Sequence, residues 1–557
     1  MSIHRAFAAA VLLTLLGIMF IEANAEPLGR IFWHLLTVHD LPGGWLMLSF
    51  LLFSYCLATF TNGKGIWVDR LLRVMDHQRY ALAILLWALL CIGSLKVYRN
   101  HPLSMDEYAV VFQAKIFAAG AMSGRFPPEL LDSLIPGEFQ NQFLMVNRQT
   151  GAVFSAYWPG FSLLLTPFVW LGIPWACNPT LVAVSLLMIA RIARELIASP
   201  TAAGWAMLFA LASPAFVANG ITYYSMPAHL LLNLCFVWLL FSRSSRRLFL
   251  AGAVGGFALA LHNPFPHVVF ALPWIFWLAT RRGEWHRNLI WIGLGYFATA
   301  LPFVIGWSLW LRQSIQGPLS TEILQPVAVM APGTLERAVS IIQGFFRVLQ
   351  WPDELIIYAR LGGLAKLWLW ASPLLLLLAW WGGRESKLPP LRLLGASALA
   401  TFFAFFLIRF NQGHGWGYRY FHSAWGVLPI LGAAGAIKLA SMPGEGVRWS
   451  RALVALTLVS LIGANGLRFQ QMGSFMADHL DQFPPRVPAE FRVVLHNYRG
   501  YYGVDLIQND PWLRGSEIIL LAEGAKGRTL VDRYFPDVVE AGNNRYGTTF
   551  VGGARPP

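Results

Sequence analysis

Residues 80–107 read YALAILLWALLCIGSLKVYRNHPLSMDE. The apolar run at 80–97 has the composition of a membrane-spanning helix, because roughly 20 apolar residues cross the hydrocarbon core of a bilayer. A short polar stretch follows, and then Asp106 and Glu107 stand side by side at the head of a long loop. The chain has only 28 acidic residues among 557, so an adjacent pair beside a membrane span calls for a structural or a chemical reason.

The apolar run at 80–97 is one of many. Hydrophobic residues make up 56% of the chain and charged residues 13%, whereas a soluble domain has about 25% charged residues. The sequence therefore predicts an all-α polytopic membrane protein with about 13 transmembrane helices, the first of them retained rather than cleaved as a signal peptide. The predicted spans are 6–22, 44–60, 80–97, 178–195, 202–218, 227–241, 248–262, 265–279, 288–310, 365–381, 393–408, 421–438 and 452–467.

One further apolar segment, 159–175, is interrupted by Pro159, Pro167, Gly172 and Pro174. Breaks of this kind favour a short interfacial or re-entrant helix over a full span.

Basic residues cluster in alternate loops between the predicted spans. The net charge is +14, and Lys and Arg are enriched in the cytoplasmic loops of membrane proteins. This distribution predicts a multi-pass membrane protein with a cytoplasmic N-terminus and a C-terminus on the outer face. It also explains the positive charge without nucleic acid as a partner. The loops carry Lys64, Arg70, Arg73 and Arg79; Arg243, Arg246 and Arg247; Arg281, Arg282 and Arg287; and Arg384, Lys387 and Arg392.

Four polar segments share the predicted outer face: 98–157, 311–364, 409–420 and the tail 468–557. The segment 311–364, with Arg337, Arg347 and Arg360, is predicted to form amphipathic surface helices. The tail alternates short apolar runs with turn residues, which indicates a small extracytoplasmic α/β domain with strands near Arg492–Leu495, Glu517–Leu521 and Thr529–Val531. The predicted domains are two N-terminal helices and a loop at 1–79, a transmembrane core at 80–467 and the soluble domain at 468–557.

The acidic pair has two interpretations. Ser104 followed three residues later by Glu107 is a capping-box pattern at the start of a helix, and this gives Glu107 a structural role. Asp106 would then lie in the first turn, where the helix dipole favours an anion. A carboxylate at the boundary between membrane and water is also suited to deprotonate a hydroxyl group.

A second candidate site is residues 413–422, GHGWGYRYFH. Three glycines let a backbone approach a ligand closely, and Arg419 has the planar fork that suits phosphate. His414 and Tyr420 flank it, and Arg409 is a second cation. The alternative is an interfacial belt of aromatic residues anchored by an arginine.

A third stretch, around Tyr157, Trp158 and Pro159, either shapes a sugar site or only directs the following helix. The histidines at 229, 262 and 267 are predicted to be satisfied core residues. Nucleotide-binding motifs are absent from the sequence, so chemistry on the outer face would need an activated, membrane-borne substrate such as a lipid-phosphate sugar.

These motifs, in this order, resemble the C-type membrane glycosyltransferases, in particular the branch of the protein O-mannosyltransferases and the lipid A aminoarabinose transferases. The matching features are the Asp106–Glu107 pair and its helix, the segment 157–172, the ASPAF motif at 212–216 and the pair Arg419–Tyr420. The resemblance covers roughly 80–470. Two extra spans precede this region, the loop at 222–229 lacks the acid that the family often carries, and the tail matches no known pattern.

The resemblance implies transfer of a sugar, with inversion, from a polyprenyl-phosphate donor to a hydroxyl of a glycan, lipid or protein acceptor. It also implies a bacterial inner membrane protein whose C-terminus and active site are periplasmic. Asp106 would act as the general base and Glu107 would support it. Arg419, with Lys115 or Arg409, would bind the phosphate, and the substrate site would include Tyr157, Trp158, His414 and Tyr420. No cofactor is assured, although a divalent metal is compatible with the pattern. The alternatives are a flippase or transporter of lipid-linked sugars and a non-catalytic envelope scaffold.

Overall fold

The computed structural model describes residues 3–25, 30–60, 66–242, 244–281, 283–314, 349–497, 502–521 and 524–553. The chain divides into two compact units. The helical unit contains Met1–Ser94, Asn178–Pro302 and Phe345–Gln471, and the mixed unit contains Leu95–Cys177, Phe303–Gly344 and Met472–Pro557. Outside the described residues lie Lys64, Arg243, Arg282 and most of the predicted surface segment 311–364, including Arg337 and Arg347.

The helical unit consists of apolar helices, and the predicted polytopic helical fold is confirmed. Within the described ranges, seven helices are long and apolar enough to cross a membrane, or nine if each of two bent pairs is one span. The number predicted from the sequence, about 13, is larger, because the runs at 227–241, 248–262 and 265–279 form helices of only 15 residues each. A helix of 15 residues rises about 22 Å, less than the hydrocarbon thickness. The run at 365–381 is divided between helices Glu354–Leu369 and Leu375–Arg384.

The helices that lie wholly or mainly in this unit are Ile3–Ala23, Ile31–Leu35, Leu41–Phe60, Ile66–His77, Arg79–Lys96, Cys177–Leu196, Ala202–Leu211, Pro214–Ala218, Met226–Leu240, Ser245–Leu259, Phe265–Ala279, Trp285–Leu301, Glu354–Leu369, Leu375–Arg384, Pro389–Ala404, His422–Trp425, Val427–Ala440 and Gly446–Val459. Helix Asn465–Leu480 begins in this unit and ends in the mixed unit. Short π-helical turns occupy Leu36–Asp40 and Ser460–Ala464.

Two spans are bent where the chain has proline or glycine. Ala202–Leu211 and Pro214–Ile221 meet at 68°, because proline has no N–H group to continue the helical hydrogen bonding. Arg419–Trp425 and Val427–Ala440 meet at 57°, with Gly426 between them. The predicted span 421–438 is therefore broken close to its start.

The mixed unit begins with helix Met105–Ala118, called here the acidic helix. A three-stranded antiparallel sheet follows it, with β1 (Gly124–Arg125), β2 (Leu144–Val146) and β3 (Ala152–Ser155) in the order β1-β3-β2. Helix Gly160–Trp170, called the interfacial helix, has only 11 residues. At about 16 Å it is too short to cross a membrane, as the prolines of this segment predicted.

The tail forms a second sheet with the order β5-β4-β7-β6. Strand β4 (Phe491–His496) is parallel to β5 (Glu517–Leu521) and antiparallel to β7 (Gly547–Gly552), and β6 (Val539–Asn544) is the outer strand beside β7. The strands predicted at Arg492–Leu495 and Glu517–Leu521 are confirmed. The strand predicted at Thr529–Val531 is wrong, because these residues lie in helix Gly524–Tyr534, whose apolar residues follow a helical period.

The acidic helix and the tail sheet share one hydrophobic core. Tyr108, Phe112 and Ile116 recur every four residues on one face of the acidic helix, and they belong to the same buried cluster as Val493 and Phe550 of the tail. This spacing places all three side chains on one face of a helix. The predicted boundaries at 79/80 and 467/468 stay a prediction, but the compact units follow a different division, in which the tail belongs with residues 95–177.

Candidate active site

The N-terminus of the acidic helix is capped from two directions. Ser104 is the N-cap residue with extended backbone, and its carbonyl accepts hydrogen bonds from the N–H groups of Glu107 at 3.0 Å and Tyr108 at 2.9 Å. The N–H group of Met105 donates to the carboxylate of Asp505, 3.1 Å away. A tail residue thus satisfies a backbone donor that helix geometry alone leaves without a partner.

Glu107 is fully buried. Its carboxylate accepts hydrogen bonds from the Tyr98 hydroxyl at 3.1 Å and from the Leu103 N–H group at 2.6 Å. The side chain therefore reaches back beyond the N-cap, much as a capping box predicts. These bonds agree with the capping role predicted for Glu107, and its support of a catalytic base stays a prediction.

Asp106 is only half-buried, and Tyr157 lies against it. The Tyr157 hydroxyl donates to Oδ1 of Asp106. Tyr157 is positioned by the end of β3, where its N–H group donates to Ser155 Oγ at 3.2 Å, and the Ser155 N–H group donates to Gln113 Oε1 of the acidic helix at 2.9 Å. Two residues predicted independently from separate motifs therefore come together in the structure.

The interfacial helix runs alongside the acidic helix. Ser162 Oγ donates to the Val110 carbonyl at 3.0 Å, and Trp170 Nε1 donates to the Ala118 carbonyl at 2.7 Å. The two bonds are eight residues apart on both helices, so the helices lie side by side in parallel over two turns. Trp158, half-buried, precedes the interfacial helix beside Tyr157.

Lys115 is exposed and lies nine residues after Asp106. At 100° per residue this spacing turns the side chain to the opposite side of the acidic helix, about 13 Å along its axis. The structure therefore does not bring Lys115 together with Asp106.

The second candidate site, residues 413–422, lies in the helical unit. The polar segment 409–420, which contains most of it together with Arg409, is called here the arginine loop. Arg419 folds back into its own loop, where its guanidinium donates to the carbonyls of Gln412 at 3.0 Å and His414 at 2.7 Å. The guanidinium also lies 4.0 Å from the centre of the Tyr224 ring, a cation–π contact. Arg419 is thus held in a defined position before any ligand arrives.

The glycines of this loop allow that arrangement. Gly413, Gly415 and Gly417 all have positive φ, at 61°, 124° and 67°. A Cβ atom at Gly415 would lie 2.1 Å from Cδ of Arg419. The glycine spacing predicted that the backbone comes close to a ligand. At Gly415 the backbone instead comes close to the Arg419 side chain.

Arg360 holds the other end of the loop, although the sequence predicted it on a surface helix. This correction follows from burial: Arg360 is 0% exposed. It donates to the carbonyls of Phe405 at 2.8 Å, Ile408 at 2.9 Å and Phe410 at 2.7 Å, which lie at and just beyond the end of the helical residues 389–407. Its guanidinium also lies 5.0 Å from the Tyr420 ring centre. The sequence feature that could have predicted this burial is the pair Gly362 and Gly363, which lies close to Arg360 in a helix that packs closely.

The remaining predicted residues of the loop differ in exposure. Tyr420 is half-buried, and its hydroxyl donates to the Phe410 carbonyl at 3.1 Å. His414 is buried and Arg409 is exposed.

The loop residue Trp416 lies between two aromatic rings. The His39 ring stacks on it with ring centroids 5.7 Å apart, and the centroid of the Trp370 ring lies 6.5 Å from that of Trp416. Trp416 is only 1% exposed. This contact joins the N-terminal helices, which precede the region of family resemblance, to the arginine loop.

Next to His39 lies a buried ion cluster that sequence reasoning missed. Asp40 accepts from Lys366 Nζ at 2.6 Å and from an Arg468 nitrogen at 3.0 Å. It also accepts from Nε1 of Trp370. The three charged groups are at most 2% exposed. The sequence feature that could have predicted this cluster is a single charged residue inside an apolar run. A charge in such a place is costly and indicates a paired or functional position.

Asp106 belongs to the mixed unit and Arg419 to the helical unit, so the predicted common site stays a prediction. Among the described residues, no three His, Cys, Asp or Glu side chains form a metal-ligand group. His267 is a satisfied core residue, as predicted, with its ring nitrogens 2.7 Å from Asn233 Oδ1 and 2.6 Å from the Tyr296 hydroxyl.

No protein-family model and no curated protein matches the sequence. Solved structures do match the fold. The crystal structure of ArnT from Cupriavidus metallidurans bound to undecaprenyl phosphate aligns with a TM-score of 0.50 and 11% identity, covering 85% of this chain and 99% of that chain. ArnT is a lipid A aminoarabinose transferase with the C-type glycosyltransferase fold. This chain has that fold. The same enzyme in its apo state aligns over the same shares, with 11% identity and a TM-score of 0.47. The resemblance expected from the motifs is thus confirmed at the level of the fold.

Proposed function

We propose that this protein is a membrane glycosyltransferase that transfers a sugar from a polyprenyl-phosphate donor to an acceptor hydroxyl on the periplasmic face. The observation that carries the proposal is the pairing of Asp106 with the Tyr157 hydroxyl at the start of the acidic helix, in a fold shared with ArnT bound to undecaprenyl phosphate. The proposed sugar is a hexose or a pentose.

In the proposed reaction the acceptor oxygen attacks the anomeric carbon of the donor sugar. The new C–O bond forms as the bond to the phosphate oxygen breaks, and the polyprenyl phosphate departs with the electron pair. Asp106 accepts the proton of the acceptor hydroxyl, as general bases do in such steps. A single displacement of this kind inverts the anomeric centre. Because phosphate leaves as a stable anion, the step does not need the second carboxylate that acts as an acid in glycoside hydrolysis.

The side chains around Asp106 support this role. Its half-buried position leaves the carboxylate within reach of a substrate, and the Tyr157 contact demonstrates that a hydroxyl can approach Oδ1. The helix N-terminus stabilises the ionised form that a base needs. Glu107, Tyr98 and Asp505 hold the first turn rigid, so the base keeps its direction during the reaction.

Arg419 is proposed to bind the donor phosphate and to stabilise the charge that develops on it. Its contacts with two loop carbonyls and with the Tyr224 ring fix the guanidinium in advance. Donors held in place in this way cost no reorganisation during the reaction, and removing one such donor typically slows a reaction about 100-fold.

The substitution Asp106→Asn tests the proposal. We expect transfer from a lipid-phosphate sugar to fall about 100-fold or more, because the amide cannot take up the proton. The matched control is Asp132→Asn, which removes an exposed carboxylate of the same unit that pairs with Arg148 at 2.8 Å. Transfer by purified protein in lipid nanodiscs is the measurement, with the thermal unfolding midpoint as the check on folding. Full transfer by a folded Asp106→Asn protein contradicts the assigned base.

A further inference from the structure

A cleft of about 450 Å³ opens in the mixed unit, and part of its lining directly precedes the acidic helix in the sequence. One wall is formed by residues 99–101 and the other by residues 480–486. The first wall directly follows the end of an 18-residue candidate membrane span, Arg79–Lys96, and the second begins at the end of the long helical segment Gly446–Leu480. A position just beyond the end of a span is the level at which lipid headgroups lie.

The lining of the cleft is rich in groups that bind anions. Arg99 and Arg486 contribute two guanidinium groups, Asn100 an amide and His101 an imidazole, against one carboxylate, Asp481. Among the described residues neither arginine forms an ion pair with a carboxylate. Arginine is the side chain that best matches the geometry of phosphate oxygens.

The first wall is held in an unusual backbone conformation. Arg99 and Asn100 are consecutive non-glycine residues with positive φ, at 55° and 51°, a strained conformation that persists only where the surroundings impose it. Tyr98 anchors this turn through its bond to Glu107, and Gln508 donates to the Pro102 carbonyl at 2.8 Å.

The second wall is held by the tail sheet. Asn544 donates to the Phe483 carbonyl at 3.0 Å, and the Thr549 hydroxyl donates to the Pro485 carbonyl at 2.7 Å. The Arg486 guanidinium lies 5.1 Å from the centre of the Phe483 ring. Both walls are thus preorganised, and preorganisation lowers the cost of binding.

His101 adds a second, independent observation. Its Nε2 atom is buried and has no hydrogen-bond partner among the described residues, which is costly for a polar group. Burial, and the positive charge of Arg486, lower the pKa of His101 to about 4. The ring is therefore neutral near pH 7 and adds no positive charge to the lining of the cleft.

We propose that this cleft binds a phosphate group at the outer surface of the membrane. Arg99 and Arg486 hold its oxygens from the two walls, with Asn100 as a neutral donor. The volume accommodates a phosphate together with part of the molecule that carries it, since ligand pockets range from about 300 to 1,000 Å³. The proposal does not depend on the transfer reaction, and its test measures binding alone.

The test uses the purified full-length protein in neutral detergent micelles, titrated with two probes: dioleoyl phosphatidic acid and inorganic phosphate. Binding of the lipid is followed by native mass spectrometry, and that of phosphate by calorimetry. We expect saturable binding that is weakened about tenfold or more in the Arg99→Gln/Arg486→Gln variant. Arg514→Gln is the matched control, because Arg514 also lies over an aromatic ring, that of Trp512, at 5.3 Å.

The two probes separate the sources of the phosphate. Arginine-dependent binding of phosphatidic acid identifies a lipid headgroup, and arginine-dependent binding of inorganic phosphate alone identifies a soluble ligand; either result supports the phosphate site. If the double variant loses its thermal transition, Arg486→Gln alone is compared with Arg514→Gln. The proposal is overturned if the folded double variant binds both probes as tightly as the wild type does. Where Arg486→Gln replaces the double variant, the same result for Arg486→Gln overturns it.

Discussion

Asp106 and Glu107 are neighbours in the sequence, yet their side chains lie in different surroundings. Glu107 is enclosed by Tyr98 and Leu103, while Asp106 faces Tyr157 and remains half-buried. The capping pattern was enough to predict that Glu107 turns back toward the residues before the helix, because it depends only on local spacing. The identity of the partners was not predictable, since none of them is specified by a local pattern.

His101 makes the stability of the mixed unit depend on pH. Its pKa of about 4 in the folded protein lies below the ordinary value of 6.5, so the unfolded chain takes up the proton first as the pH falls. The free energy of unfolding therefore decreases between pH 6.5 and about 4 and, as far as this group is concerned, becomes constant below that range. We expect a smaller loss in His101→Gln, measured as the thermal unfolding midpoint of both proteins between about pH 7 and about pH 4.5. Identical pH profiles contradict this assignment.

At the scale of elements, the apolar runs predicted the helices well, but not their bends or lengths. The period of a run indicates a helix, whereas the 57° break at Gly426 and the short helix Gly160–Trp170 depend on how neighbouring segments pack. The prolines and the glycine of 159–175 predicted the short helix, whereas the single glycine at 426, inside an apolar run, did not predict the break. Arg360 was misplaced for the same reason, because only the fold brings the carbonyls of 405–410 to its helix.

The arginine loop offers a paired test of glycine function. In Gly415→Ala the new methyl group would occupy the position of the Arg419 side chain, so that side chain must move. In Gly413→Ala the positive φ costs about 1–2 kcal/mol, but the space beside it is open. We expect Gly415→Ala to raise the KM for the lipid-phosphate donor about tenfold or more, and Gly413→Ala to change it little. Steady-state kinetics of the two variants in nanodiscs is the measurement, and equal KM values count against a role of Arg419 in donor binding.

The ion cluster between helices makes a separate prediction. Asp40→Asn leaves the buried charges of Lys366 and Arg468 without their carboxylate, and breaking a buried pair in this way costs about 3–5 kcal/mol. The control is Glu385→Gln, which removes an exposed pair with Lys438, and such pairs contribute about 1 kcal/mol or less. We expect the thermal unfolding midpoint to fall clearly for the first variant and little for the second. Equal midpoints for both variants contradict the structural importance of the cluster.

At the scale of the whole molecule, the tail is structurally part of the candidate active site. The Tyr108 hydroxyl donates to the Asn509 carbonyl at 2.6 Å and accepts from the Asn509 N–H group at 2.8 Å. Contacts between residues about 400 positions apart cannot be inferred from one sequence, because hydrophobic patterns give the face of an element but not its partner. For this reason the sequence predicted a separate domain.

Removing residues 491–553 should therefore damage more than the tail. The deletion removes the tail residues that pack against Phe112 and Ile116 of the acidic helix, and it also removes the Asp505 cap. We expect loss of sugar transfer together with rapid cleavage of residues 95–177 in limited proteolysis, followed by mass spectrometry of the fragments. Asp532→Asn, an exposed carboxylate in the tail helix, serves as the control with normal protection. A truncated protein whose acidic helix resists proteolysis would show that the helix folds alone.

The cap of Asp505 on Met105 also sets an order of events during synthesis. A ribosome reaches Asp505 400 residues after Met105. The helices in between emerge first, and chains fold as they are made. The first turn that carries Asp106 thus receives this hydrogen bond near the end of translation. A nascent or prematurely terminated chain carries the Asp106 turn without the Asp505 cap, and only a chain completed through residue 505 can form it.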